Sequence, residues 1–425
     1  MKLTLFLLVL SLRCLPAEAP GGQMFVKAVK DGDLKTIETL LSVGFNPNQP
    51  VHGYTPLWFA IQSNRTEIVD MLLAVHADPN ELVMAGEDLT QYGGNATPLQ
   101  VAVLLDNGHM ASRLISAGAR VDAKGPSGRT ALFGAVRVAH LDLIRLLIAR
   151  GAEVNIRDTE HGASPLDEAV WAGSLDCVAL LLAHGARLNE GESQTGATPI
   201  NEAAFMGRAS VVQFLLQFRP DLGVPDIRGY RPLDNAIRMG KEDCALILLE
   251  AEPKEQQTAE FFSKSLGAAI RKSESALVES LLRHGATAND LLASGATPLD
   301  VAASAGASKV VRVLLDNGAD PNISGRTGTS PLEDASLKGF ESVAGMLLDH
   351  GALVNRLNTS SGTTALYAAA SFGKSEVVKL LLERGANPNL CGSNRKSPYQ
   401  AAVENGYSEV AAEIRNHGGA KGCEQ

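Results

Sequence analysis

One pattern recurs along nearly the whole chain and leaves few folds open to it. Thr-Pro-Leu, or a close variant, begins at Thr55, Thr97, Thr130, Ser164, Thr198, Arg231, Thr297, Ser330, Thr364 and Ser397. Each start is followed 21 and 22 positions on by Gly-Ala or a degraded copy of it. Two further segments, starting near Gln23 and Lys264, lack the motif but keep the ending, at Gly44 and at Gly285-Ala286. The twelve starts fall 32, 42, 33, 34, 34, 33, 33, 33, 33, 34 and 33 residues apart, so a single interval departs from the period by more than one. A chain of 425 residues is too long for one ordinary hydrophobic core, and the period selects a repeat array over several unrelated domains.

Within a repeat the physics is local. The Thr or Ser hydroxyl caps a first helix, and Pro in the first turn has a fixed φ and no amide to leave unbonded. Leu at the third place and Ala at the sixth share one helical face, with Ala small enough to let helices approach. A second helix carries a Leu pair, as in Leu181-Leu182, Leu281-Leu282 and Leu381-Leu382. Gly185, Gly318 or Gly385 then ends it in the left-handed conformation, and a run such as Asp320-Pro321-Asn322 turns the chain back. One such unit cannot bury its apolar face alone, so it must stack on its neighbours.

The 33-residue period and the Thr-Pro-Leu-x-x-Ala signature resemble the ankyrin-repeat family from Gln23 to about Gly418. The resemblance implies an all-α ankyrin-repeat solenoid of helix-turn-helix units joined by hairpin-like loops, acting by protein binding. The signature's usual His is replaced in the repeats after the first by Trp58, Gln100, Phe133, Asp167, Asn201, Asp234, Gly267, Asp300, Glu333, Tyr367 and Gln400. That His ties neighbouring turns together. An Asp or an amide is able to accept similar hydrogen bonds; Phe133 and Gly267 are not.

The boundaries that follow are a leader over 1–19, a short linker over 20–22 and repeats 1–7 over 23–250, with a loop insertion at about 82–94. A degenerate junction over 251–264 reads as helix containing Phe261 and Phe262; repeats 8–12 then run over 265–418, with a tail over 419–425. Arg415, where other repeats carry the second Leu, gives the last repeat the polar face a capping unit needs. In the leader, Lys2, the apolar run Leu3 to Leu12 and Ala17-Glu18-Ala19 form a secretory signal pattern. Its ten-residue run is too short to span a bilayer, so no permanent membrane anchor is predicted. Pro20 opposes cleavage after Ala19, and Met24 offers an alternative start. The expected location is therefore secreted or periplasmic, or cytoplasmic if translation starts at Met24.

Net charge is −9 with no long basic run, which argues against nucleic acid as a partner. Outside the leader, Cys177, Cys244, Cys391 and Cys423 are too few for a disulfide-built scaffold. Cys177 and Cys244 fall on second-helix core places; Cys391 and Cys423 pair only if the tail bends inward. His184, His284, His350 and His417 share one repeat slot, which removes them as a metal set, and the glycines follow the repeat period rather than a phosphate loop. Asp167, Glu168, Glu202, Asp234, Asp300, Glu333 and Asp334 raise the alternative of acid–base or calcium chemistry, but each recurs at the same place of its own repeat. No catalytic residue, cofactor or metal is predicted.

The resemblance implies a concave face built from hairpin tips and first helices. Along it Trp171, Phe205, Met206, Arg238 and Met239, with Arg129, Arg137 and Tyr230 beside them, belong to the residue types that dominate interface energetics. These eight are the candidate partner contacts; the competing reading has Trp171 and Phe205 filling gaps between helices. The leading expectation is a monomeric, non-catalytic scaffold or inhibitor of a protein partner. An effector delivered into a host cell and a cytosolic adaptor starting at Met24 are the alternatives.

Overall fold

A computed structural model describes residues 20–51, 53–81, 83–84, 95–125, 127–392, 395–420 and 422. Among them are twenty-four α-helices in twelve consecutive pairs, from Pro20–Asp31 with Leu34–Ser42 to Pro398–Glu404 with Ser408–Asn416. The architecture is an all-α solenoid of helix-turn-helix repeats. The leader over 1–19 lies outside the described residues, and no helix among those described is long and apolar enough to cross a membrane.

The caps explain where each first helix starts. Thr97 Oγ1 accepts from Gln100 N at 3.2 Å, and Gln100 Oε1 accepts in return from Thr97 N at 2.8 Å. Thr297 with Asp300 and Ser397 with Gln400 form the same reciprocal box. Side chains in the slot usually held by His also reach the following hairpin. Gln100 Nε2 donates to Arg129 O at 2.8 Å, Asn201 Nδ2 to Val224 O at 3.0 Å, and Gly325 N donates to Asp300 Oδ2 at 2.9 Å. Acids and amides therefore do tie neighbouring turns.

At the other end of each repeat, Gly185 takes φ 86° and Gly318 φ 84°, the left-handed close of the second helix. The Asn of the turn then works twice. Asn155 Nδ2 donates to Gly185 O at 3.0 Å while its Oδ1 accepts from Arg187 N at 2.9 Å, one repeat on. Asn48, Asn80, Asn289, Asn322, Asn355 and Asn389 make the same pair of bonds. Leu181, Leu281 and Leu381 are fully buried under these ladders, each contributing about 1.5–3 kcal/mol by its removal from water.

Two compact units divide the chain. The N-terminal block comprises Met1–Ala203 with Ser210–Tyr230, and the C-terminal block Ala204–Ala209 with Arg231–Gln425. In the N-terminal block, Val83–Met84 pairs antiparallel with Asn95–Ala96 at the predicted insertion; residues 82 and 85–94 lie outside the described ones. In the C-terminal block the junction is not the continuous helix its sequence suggests. The second helix of repeat 7 stops at Ala251, a 3₁₀ turn spans Lys254–Gln256, and a 14-residue helix, Ala259–Lys272, starts afresh. Pro253 lacks the amide a continuing helix needs, and Thr258 Oγ1 caps the new one by accepting from Phe261 N at 3.2 Å.

Cys177 and Cys244 are free and buried. Cys391 is engaged in a disulfide; Cys423, and with it the Cys391–Cys423 pairing, lies outside the described residues. Arg415 of the last repeat stacks on Tyr399 with 5.0 Å from Cζ to the ring centroid.

Candidate functional site

In the N-terminal block the candidate residues gather around carboxylates. Asp158 closes the hairpin before repeat 5: its Oδ1 accepts from the backbone of His161, Gly162 and Ala163 at 2.9, 2.8 and 3.1 Å. Its Oδ2 accepts from Arg129 Nε at 3.2 Å. Arg129 also stands 3.6 Å from Glu168 and lies over the Phe133 ring at 5.8 Å. It is therefore 8% exposed, not a projecting hairpin tip. The side chain folds back because two buried acids attract it more strongly than water does. Arg137, 3.9 Å from Glu168 and half exposed, does face solvent.

Trp171 lies in the last turn of the first helix of repeat 5, Pro165–Ala172. Its Nε1 donates to Glu202 Oε2 at 3.1 Å, one repeat on, and its ring meets His161 edge-on at 6.3 Å. It is half-buried and spans two repeats. Tyr230, also half-buried, sits in a hairpin held by Asp226, whose Oδ1 accepts from Tyr230 N at 2.9 Å.

Burial raises four carboxyl groups of this region, Asp167, Glu168, Glu192 and Glu202. Asp167 is pushed up to about 6, against hydrogen bonds from Ser164. Glu192 is pushed to about 7 by burial, with the charges of Glu202, Asp167 and Asp158 adding. Glu202 is raised by burial and opposed by the Trp171 hydrogen bond. Glu168 is likewise raised by burial and opposed by Arg129 and Arg137.

In the C-terminal block, Arg238 Cζ stands 5.9 Å from the Phe205 ring centroid, a cation–π approach. Met206 and Met239, the residues that follow each of these in sequence, are 41% and 39% exposed. Four of the eight candidates are thus assembled in this block as an aromatic–guanidinium stack flanked by flexible thioethers.

Sequence alone singled out neither Asp158 nor Glu192. Both lie in hairpins where acids are ordinary turn residues; Asp158 gains its role from Arg129, 29 positions away, and Glu192 from the charges of Glu202 and Asp167. Among the described residues, no group of three or more His, Cys, Asp or Glu is placed to hold a metal ion.

A family profile described as ankyrin repeats in three copies matches residues 15–82, 80–158, 99–192, 166–259, 265–358 and 332–424. An ankyrin repeat protein of Fowlpox virus (strain NVSL) is 31% identical over 134 residues, which is 31% of this chain and 30% of that protein. The glycerophosphocholine phosphodiesterase gde1 of Schizosaccharomyces pombe is 37% identical over 116 residues, 27% of this chain and 9% of that protein. An ankyrin repeat protein of Rickettsia felis is 25% identical over 133 residues, 31% of this chain and 43% of that protein. The chain spans less than half the length of each of these curated relatives.

Proposed function

The chain belongs to the ankyrin-repeat family, and from that premise we propose that it is a non-catalytic module that scaffolds or inhibits a protein partner. The contacts we assign are Arg137, Trp171 and Tyr230 on the N-terminal block, and Phe205, Met206, Arg238 and Met239 on the C-terminal block. One observation carries the assignment. Met206 and Met239 are large, apolar and well exposed beside the Arg238–Phe205 stack. Met, aromatic and Arg side chains grouped at the surface are the composition of an interface centre. Arg129 is reassigned to the framework, because it is buried on Asp158 and Glu168.

The test is a pair of measurements on the same variants. Trp171→Ala and Phe205→Ala are each expected to weaken partner affinity by about 2 kcal/mol or more. Ser304→Ala, away from both sets, is expected to leave it within a few tenths of a kcal/mol. A large fall in melting temperature with unchanged affinity would assign both aromatics to packing and remove them from the site. We propose further that the protein acts in a secreted or periplasmic setting, on the signal pattern of Lys2 to Ala19. N-terminal sequencing of the mature protein decides this, since a chain beginning at Met24 excludes export by that leader.

A further inference from the structure

Five carboxyl groups of the N-terminal block, on two hairpins and two first helices, act on one another, and one of them bonds Trp171: Asp158, Asp167, Glu168, Glu192 and Glu202. The nearby cations pair with only two of the five. Arg129 reaches Asp158 and Glu168, and Arg137 reaches Glu168. Arg157 donates to Gly162 O and to Glu190, so its charge acts on Asp167 only through space. His161 bears on Glu168, and Asp226 adds a further negative charge beside Glu202.

Asp167 and Glu192 are left incompletely bonded. Asp167 Oδ2 accepts from Ser164 N and Oγ at 2.7 and 2.8 Å, but its Oδ1 is sealed from solvent without a hydrogen-bond partner. Glu192 Oε2 accepts from Thr195 Oγ1 at 3.1 Å, and its Oε1 is sealed in the same way. Both side chains are buried, with Asp167 0% and Glu192 4% exposed. The loop carrying Glu192 is closed by Glu192 N to Ala197 O at 3.1 Å and Gly196 N to Glu192 O at 2.8 Å. It is tight enough that a Cβ on Gly191 would lie 2.2 Å from Gly196 O.

A bare carboxylate oxygen held out of water beside other carboxylates is strongly unfavourable and must be discharged. A metal ion has no ligand set here among the described residues. A partner's side chain has no path to oxygens that expose no surface. A proton needs neither. We propose that Asp167, Glu192 and Glu202 hold at least one shared proton at neutral pH, and that this proton keeps Glu202 ionised beneath Trp171. The Trp171 Nε1–Glu202 bond is strongest while Glu202 carries the charge, which requires the proton to rest on Glu192 or Asp167. A partner seated on Trp171 would then sense pH through Glu202, a consequence that rests on the partner contact proposed above.

The sign of the pH effect follows from where the proton is held more tightly. Glu192 binds it up to about 7 in the folded block, whereas a Glu in the unfolded chain releases it near 4.3. Between those values the folded block carries more protons than the unfolded chain. Stability is therefore greatest at the acid end of the window and falls as pH rises through about 7.

The test uses the full chain carrying Trp58→Phe, which leaves Trp171 as its single tryptophan. Thermal unfolding is followed by Trp171 fluorescence at pH 5.5 and pH 8, with and without Glu192→Gln. Ellipticity is unsuitable, because burial also pushes Glu274 and Asp334 of the C-terminal block up to about 7. The parent is expected to melt several degrees higher at pH 5.5 than at pH 8. Glu192→Gln, neutral at any pH, is expected to raise the pH 8 melting temperature and shrink the difference between the two. A variant that loses stability equally at both pH values overturns the proposal. Should either substitution prevent folding, carbon-13 NMR of the unmodified chain labelled at Asp and Glu carboxyls reads Asp167 and Glu192 directly, and titration of both near their unfolded-chain values overturns the proposal as well. All of these readouts are free of partner, so they stand or fall separately from the partner contacts.

Discussion

Arg129 follows Gly128 at a hairpin tip, where a long cation ordinarily meets water, and the sequence offers no local reason for it to do otherwise. The reason lies in Asp158, 29 residues on. Asp158 spends one oxygen on three hairpin amides and is left with a second that only a buried cation satisfies. Arg129→Ala is expected to strand that charge and part of Glu168, costing about 3–5 kcal/mol in denaturant unfolding. Arg137→Ala is expected to cost no more than about 1 kcal/mol, because its side chain is 51% exposed and the pair with Glu168 is long. Comparable losses for the two would mean that the Asp158 bond adds little. What was legible residue by residue was the bonding that stays inside one turn. Gln100, Asp167 and Asp300 stand three places after Thr97, Ser164 and Thr297 and close the reciprocal cap, whereas Glu333, three places after Ser330, turns instead to Asn358 and Thr363.

Helix boundaries were legible for the same reason: Thr-Pro opens a helix and Gly closes one through forces that act over four or five residues. The second task of the turn Asn was not. Asn322 reads as a turn residue, and its Oδ1 does accept from Leu353 N in the next repeat, a bond that exists only once repeats stack. Asp122 occupies the equivalent place and accepts from Glu153 N at 3.0 Å, but a carboxylate has no donor for the carbonyl opposite. That contrast separates the two halves of the ladder. Asn155→Ala is expected to cost about 1–3 kcal/mol by removing both bonds, and to speed hydrogen exchange at the Arg187 amide. Asn155→Asp is expected to keep the Arg187 amide protected while losing only the bond to Gly185 O. Equal exchange in the two variants would mean that the accepting bond contributes nothing. The junction of repeats 7 and 8 illustrates the converse difficulty. Residues 251–264 carry helix-favouring composition, but one Pro and one capping Thr outweigh it.

Across the whole chain, stability in a repeat array is a sum of repeats and nearest-neighbour interfaces, so a local defect need not spread. Two features make this measurable. Trp58 and Trp171, the chain's two tryptophans, both belong to the N-terminal block, so tryptophan fluorescence reports on that block while ellipticity reports on every helix. In the C-terminal block the 252–258 connection hangs on Arg231. Its Nη1 donates to Glu252 Oε1 at 2.8 Å and to Gln256 Oε1 at 2.7 Å, and its guanidinium lies 5.3 Å from the Phe261 centroid. Glu252 is 5% exposed, so Arg231→Ala would leave a buried acid unpaired, at a cost of about 3 kcal/mol or more. In urea the wild-type fluorescence and ellipticity curves are expected not to coincide, as two-state unfolding would require. Arg231→Ala is expected to move the ellipticity curve to lower urea and leave the fluorescence midpoint in place. Coincident curves that shift together in the variant would show instead that all twelve repeats unfold as one cooperative unit, with the Arg231 defect felt as far away as Trp58.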